Sequence, residues 1–325
     1  MKICVLGCGA FGIALSLILD ENGYDVFMWT PLDDEKQNLE SLRSSSKLPG
    51  INIPNSIKIT TNITEACEGS VFVVLAIPTA FIRSTLENIK ESINNKLIVI
   101  ASKGIEQESC LFIPEIIEEV LKINNVAVLS GPSFAIDVAN KGSVGLTLAC
   151  DDMKNNSIVT KAFSNEHFKI IAVDDIIGVE VCGAIKNVMA IASGILKGMG
   201  ATESTMSLFI TEAINSIGDL IVDLGGKRTT VLSLAGIGDL LLTCTSSKSR
   251  NYSFGYLIGN GGSKKQISDF MANNTVEGVY TLKSIYQLVL RKNVDAPVIE
   301  LINDIVDGKK EPECLIDFLM KNWRI

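Results

Sequence analysis

The stretch KICVLGCGAFG, residues 2–12, decides the fold. A short apolar run leads straight into G-x-G-x-x-G, and IALSLILDEN (13–22) then carries apolar residues as a helix does, closed by Gly23. Strand, glycine turn and helix in that order form the context in which a dinucleotide's pyrophosphate rests on a helix N-terminus. Gly7 permits the tight turn and Gly9 lets the backbone approach the pyrophosphate. Gly12 lets the helix close on the strand, so that its first amides face the phosphate charge. A glycine turn with no ligand is the plain alternative, and the flanking strand and helix weigh against it.

Outward from that turn, strand-like runs recur at Asp25–Thr30, Val71–Ile77, Leu97–Ala101 and Val126–Ser130. Helical segments at Ala80–Ile93 and Pro114–Lys122 separate them. Alternation of this kind predicts a parallel sheet with helices on both faces. From about Ile176 the pattern changes to helical spacing alone, at Val179–Leu196, Thr205–Leu224 and Thr281–Lys292. The expected class is therefore α/β: an N-terminal Rossmann-type doubly wound parallel sheet over residues 1–175, binding a dinucleotide. An all-α C-terminal domain over 176–325 would carry substrate binding and catalysis.

Composition narrows the function. The 325 residues are 47% hydrophobic with a net charge of −8, and the pI is near 4.9. An acidic chain without a basic stripe has nothing to recruit a nucleic-acid backbone. Eight scattered cysteines show no CxxC spacing, as expected of reduced thiols in a cytoplasmic protein. No signal peptide is expected, because the apolar start runs directly into the glycine motif. The longest uncharged apolar stretch, around Val71–Ile82, is too short to span a bilayer and contains Pro78.

Hydride chemistry needs a proton donor, and the chain owns a single histidine, His167. His167 reads as an ordinary surface or edge residue. Lys186 is the better candidate, lying among Cys182, Gly183, Ala184, Ile185, Val188 and Met189 on a predicted helix. Desolvation there, helped by a second lysine, would tune it toward acid/base work near neutrality; a snorkelling lysine is the alternative. Asp239 and Thr243, four residues apart, share a face if their segment is helical. Arg250 can fork onto phosphate oxygens, with Ser249 and Asn251 as neutral donors, unless this stretch is merely an exposed polar loop. In the first half, ligands of an open parallel sheet lie beyond the strands' carboxyl ends. Ile77-Pro78, Ser102-Lys103-Gly104 and SGPSFA (130–135) were placed there, as the ends of the third, fourth and fifth strands. The second strand ends Thr30-Pro31-Leu32, with neither the acid that binds a ribose 2′-hydroxyl nor an arginine for a 2′-phosphate. NAD and NADP both stay open.

Together GCGAFG, VVLAIP, ASKG, SGPSFA, GAIKNV, AGIGDLLLTCTSSKSRN and VEGVYT, in this order over nearly the whole chain, closely resemble the bacterial-type NAD(P)-dependent glycerol-3-phosphate dehydrogenase family. The resemblance implies reversible hydride transfer between NAD(P)H and dihydroxyacetone phosphate, giving sn-glycerol 3-phosphate for phospholipid synthesis, in a cytoplasmic homodimer without a metal. It implies Lys186 as general acid/base, with Lys103, Asp239 and Thr243 beside it in catalysis. Gly7, Gly9, Ala10, Phe11, Gly12, Pro31, Lys103, Ala135, Arg250, Thr275 and Glu277 are the implied cofactor contacts. Lys103, Gly131, Ser133, Lys186, Asp239, Ser249, Arg250 and Asn251 are the implied substrate contacts. The chain departs from the family pattern at Ala10, where serine is common, and at GATEST (200–205) and ITEA (210–213), which bring in Ser204 and Glu212. Competing readings are a lysine-dependent β-hydroxyacid dehydrogenase, whose carboxylate substrate Arg250 could also bind, and a noncatalytic dinucleotide sensor. The Lys-Ser-Arg-Asn cluster and SGPSFA favour a phosphate substrate over the first, and Lys103, Lys186 and Asp239 together argue against the second.

Overall fold

The computed structural model describes residues 1–93 and 95–321. Its chain divides into two compact units, Met1–Lys103 with Phe112–Ile176, and Gly104–Leu111 with the chain from Ile177 onward. The first is built on an eight-stranded sheet: β1 (Lys2–Leu6), β2 (Asp25–Trp29), β3 (Lys58–Thr60), β4 (Ser70–Leu75), β5 (Leu97–Ile100), β6 (Val126–Ser130), β7 (Val144–Ala149) and β8 (Phe168–Val173). Their spatial order is β3-β2-β1-β4-β5-β6-β7-β8. Runs such as FVVL in β4 and LIVI in β5 are buried along their length, as strands covered on both faces must be. Strand β8 closes one end of the sheet and alternates buried with exposed residues.

The doubly wound class holds, with corrections of detail. Lys58–Thr60 is the true third strand, so the runs ending near Ile77, Ala101 and Ser130 are the fourth, fifth and sixth. Neighbouring strands are parallel except β6 and β7, which are antiparallel. The strand order reverses between β1 and β4, and a crevice beyond strand ends opens at such a reversal. Gly7 sits at this point.

In the described part of the second unit there are helices and no strands. Its axis is the helix Ile176–Gly198, in which every residue from Gly178 to Leu196 is buried except Lys186. This helix and Glu203–Asp223 are long and apolar enough to cross a bilayer by length and composition, longer than the run at Val71–Ile82. Burial of 83% of its apolar window makes Ile176–Gly198 the core of the unit. Helix Arg250–Gly259 crosses it at very close range. A Cβ at Gly194 would lie 2.0 Å from the Tyr252 carbonyl oxygen, and one at Gly255 would lie 1.9 Å from that of Ile191. Only glycines on both helices allow this crossing. The segment Gly104–Leu111 is tied to helix Glu277–Lys292, where the Arg291 guanidinium donates to the carbonyls of Ser109 (3.1 Å) and Glu108 (2.9 Å).

Candidate functional site

Beyond the carboxyl end of β1, Gly7 adopts φ +116°, and a Cβ there would lie 2.4 Å from the Ala76 carbonyl oxygen. A Cβ at Gly12 would lie 2.1 Å from the Gly7 carbonyl oxygen. These two glycines therefore serve the turn itself. Gly9 differs: a Cβ there would meet no atom within 4 Å, so its backbone faces open space. Gly9 also caps helix Ala10–Glu21 without a side-chain hydrogen bond. The first amides, including those of Ala10, Phe11 and Gly12, have no intrahelical partner by construction. Uncapped amides beside an open backbone fit a pyrophosphate.

The loop after β5 is tied down by Ser102, whose hydroxyl donates to the carbonyls of Ile77 (2.6 Å) and Leu75 (3.1 Å). Thr79 donates to the Lys103 carbonyl at 2.8 Å. Lys103 is thus fixed through its backbone at the ends of β4 and β5. After β6, the Ser133 hydroxyl donates to the Gly131 carbonyl at 3.3 Å, and Ala135 opens helix Ala135–Ala139. Ser130, the first residue of SGPSFA but not among the expected contacts, is 2% exposed, and its hydroxyl has no hydrogen-bond partner among the described residues. An unclaimed polar atom at a strand's carboxyl end is the kind of group a ligand satisfies. Its only signal in the sequence is a serine closing an apolar strand. His167 Nε2 lies 3.3 Å from a Glu21 carboxylate oxygen without hydrogen-bond alignment.

In the helical unit the Lys186 ammonium donates to Asp239 Oδ1 at 2.6 Å and to Thr243 Oγ1 at 3.1 Å. The lysine side chain is 13% exposed and the aspartate 1%. Asp239 follows a π-helical turn, Leu234–Gly238, and opens helix Asp239–Cys244. That helix sets Thr243 one turn on, where its hydroxyl donates to the Asp239 carbonyl at 2.6 Å. The expected shared face is present. With its own proton spent on that carbonyl, Thr243 meets Lys186 as an acceptor. Asp239 supplies the counter-charge without which a nearly buried ammonium would be costly. Burial pushes the adjoining Cys244 thiol well above its usual range, so it stays protonated and is no rival nucleophile.

The stretch SSKSRN is no loop at its end: Ser249 caps helix Arg250–Gly259, its hydroxyl accepting from the Tyr252 amide at 3.3 Å. Arg250 is exposed at the first helical position, and its guanidinium has no ion-pair or hydrogen-bond partner among the described residues. Asn251 Oδ1 accepts from the Gly278 amide at 2.9 Å, beside Glu277 at the start of helix Glu277–Lys292. A Cβ at Gly278 would lie 2.7 Å from the Asn187 carbonyl oxygen and 2.8 Å from Asn251 Oδ1. Gly278 therefore draws the residue next to Lys186 and the residue next to Arg250 to one point. Thr275 lies exposed in the preceding turn. Of the departures, Ser204 and Glu212 lie on helix Glu203–Asp223, where Ser204 sits in the first turn and Glu212 accepts from the Ser216 hydroxyl at 3.1 Å.

Two family models match the chain. NAD-dependent glycerol-3-phosphate dehydrogenase N-terminus covers residues 2–156, and its C-terminus covers 175–317. A glycerol-3-phosphate dehydrogenase [NAD(P)+] of Lysinibacillus sphaericus is 36% identical over 99% of this chain and 97% of its own length. One of Fusobacterium nucleatum is 36% identical over 100% and 98%. The crystal structure of glycerol-3-phosphate dehydrogenase from Coxiella burnetii superposes with a TM-score of 0.90 at 29% identity, covering 99% of both chains.

Proposed function

Because this chain belongs to the NAD-dependent glycerol-3-phosphate dehydrogenase family, whose reaction interconverts dihydroxyacetone phosphate and sn-glycerol 3-phosphate with NAD(P)H, we propose that Lys186 is its general acid/base. The observation that carries this reading is the Lys186–Asp239–Thr243 cluster, with the ammonium 2.6 Å from one acceptor and 3.1 Å from the other. These two acceptors fix the ammonium's direction. A bound NAD(P)H supplies the hydride. As the carbonyl carbon is reduced, negative charge grows on its oxygen, and Lys186 stabilises it and then donates the proton. The neutral amine stays hydrogen-bonded to Asp239 and regains a proton from solvent; oxidation of the alcohol runs the same steps backward.

The other roles follow from the same reading. Gly7, Gly9, Ala10, Phe11, Gly12 and Pro31 form the cofactor cradle, with Lys103, Ala135, Thr275 and Glu277 as further contacts. Arg250, exposed and without a partner among the described residues, clamps the phosphate, and that remote binding energy positions the carbonyl. Gly131, Ser133, Ser249 and Asn251 line the substrate region. Asn251 and Ser249 do so with what their structural hydrogen bonds leave free. Residues 1–175 would form the dinucleotide-binding domain and 176–325 the domain that carries the acid/base and the phosphate clamp. Helix Glu203–Asp223, whose apolar window is only 39% buried, supports a homodimer. The product would enter glycerophospholipid synthesis in the cytoplasm.

Replacing Lys186 with alanine tests the assignment. Turnover with dihydroxyacetone phosphate, followed by loss of reduced-cofactor absorbance, should fall by roughly 100- to 10,000-fold, as loss of a general acid predicts. The Kd for NADH should stay near that of the wild type. Near-normal kcat in this variant would remove Lys186 from the mechanism.

A further inference from the structure

The segment after β2 holds an acid that inspection of the strand end alone does not find. Resting on the family reading above, we infer that Glu35 makes this chain select NAD(H) against NADP(H), by accepting from the adenosine ribose and repelling a 2′-phosphate.

The geometry starts at the glycine turn. The Gly7 amide donates to the Trp29 carbonyl at 2.9 Å, and the Cys8 thiol approaches the same oxygen at 3.7 Å. The end of β2 is therefore fastened to the turn. Thr30 follows, buried, and its hydroxyl donates to Glu35 Oε2 at 2.5 Å while accepting from the Leu32 amide at 3.3 Å. Glu35 lies in the first turn of helix Asp33–Leu42, from which its carboxylate is drawn back to the strand end. Cys8 registers that charge: burial pushes its thiol up to about 12, with the Glu35 carboxylate raising it further and Lys47 opposing. The carboxylate thus acts on the centre of the pyrophosphate turn. A ribose joined to that pyrophosphate would lie beside this strand end.

The cations nearby are already engaged. Lys47 pairs with Glu35 Oε1, and its own side chain is 52% exposed against 18% for Glu35. Arg43 donates to the carbonyls of Ile57 (2.9 Å) and Pro54 (3.5 Å), and Lys36 pairs with Glu40 at 4.0 Å. Asp33 and Asp34 add negative charge to the same helical turn. A 2′-phosphate would have to take Lys47 from Glu35 and then sit against the released carboxylate. A ribose 2′-hydroxyl asks for less. Each carboxylate oxygen can accept more than one hydrogen bond, so Glu35 can take a ribose proton while keeping Thr30 and Lys47. The usual acid ends the second strand; here a helix returns it to the same place.

The test is fluorescence titration of the purified full-length chain with NADH and with NADPH, for the wild type, Glu35→Gln and Lys47→Ala, each checked for folding by circular dichroism. The wild type should bind NADH at least about ten-fold more tightly, since like charges placed together are costly. Glu35→Gln should bring the two Kd values together, chiefly by improving NADPH. Lys47→Ala should keep the preference for NADH. Equal affinities in the wild type, tighter NADPH, or a preference undiminished by Glu35→Gln would each overturn the inference. Failure to bind either cofactor would instead overturn the family reading beneath it.

Discussion

Lys186 is the single interruption in a buried stretch that otherwise runs from Gly178 to Leu196, and the interruption has a purpose. A cation in that setting persists only with a counter-charge and acceptors, which Asp239 and Thr243 provide at 2.6 and 3.1 Å. Lys186→Arg separates charge from proton transfer. The guanidinium keeps the positive charge but does not deprotonate in proteins, so substrate should still bind while kcat collapses. A variant with substantial turnover would mean that position 186 supplies charge alone. Arg250→Ala addresses the phosphate: loss of hydrogen bonds to a charged group should raise KM roughly 10- to 150-fold. An unchanged KM would put the phosphate elsewhere. Much at this scale was legible. Four-residue spacing set Asp239 and Thr243 on one face, and a lysine among small apolar residues stood out. Ser130 was not legible, because a serine ending an apolar strand looks the same whether or not its hydroxyl has a partner. Glu35 is not legible either, because it lies five residues beyond Thr30 in sequence and only the fold of the helix brings its carboxylate back to the strand end.

Helices and strands show the same contrast between pattern and packing. Strands β1 and β6 were read to the residue, since apolar runs bounded by glycine or serine allow little else. Strand β3 has three residues and escapes any periodicity argument. For Ser246–Asn251 an exposed polar loop stood as the alternative, and helix Arg250–Gly259 has only Asn251, Phe254 and Gly255 buried, which make no apolar stripe. Its burial comes from backbone approach through glycine, a contact that hydrophobic patterning does not record. Gly255→Ala tests how much depends on that crossing. Alanine is the better helix former by about 1 kcal/mol, yet its Cβ would lie 1.9 Å from the Ile191 carbonyl oxygen. Overpacking should prevail, with a net loss of about 1–3 kcal/mol in denaturant unfolding. KM should rise as well, because Arg250 and Asn251 ride on the displaced helix. Unchanged stability would mean that the helices separate at little cost.

At the scale of the molecule, the order of motifs and the switch from strand–helix alternation to helices alone were enough to state the class. What they could not state was the antiparallel joint between β6 and β7, or that Gly104–Leu111 belongs with the helical unit. Both depend on where a chain segment packs, and local composition is silent about that. Charge is another molecular property with a local exception. The chain carries −8 overall, so its general field does not attract a phosphate substrate, and the proposed roles of Arg250 and Lys186 supply that attraction locally. Division into two units also predicts how ligands register in thermal unfolding. NADH should stabilise the folded state by mass action, about 2.7 kcal/mol at one hundred times its Kd. For a unit of this size that corresponds to a rise in Tm of roughly 5–10 °C. Gly7→Ala should abolish the rise, because a Cβ 2.4 Å from the Ala76 carbonyl oxygen forces the turn out of shape. Glycerol 3-phosphate should give its own, smaller shift, lost in Arg250→Ala and kept in Glu35→Gln. A Tm indifferent to NADH in the wild type would show that the glycine turn, however well formed, holds no dinucleotide.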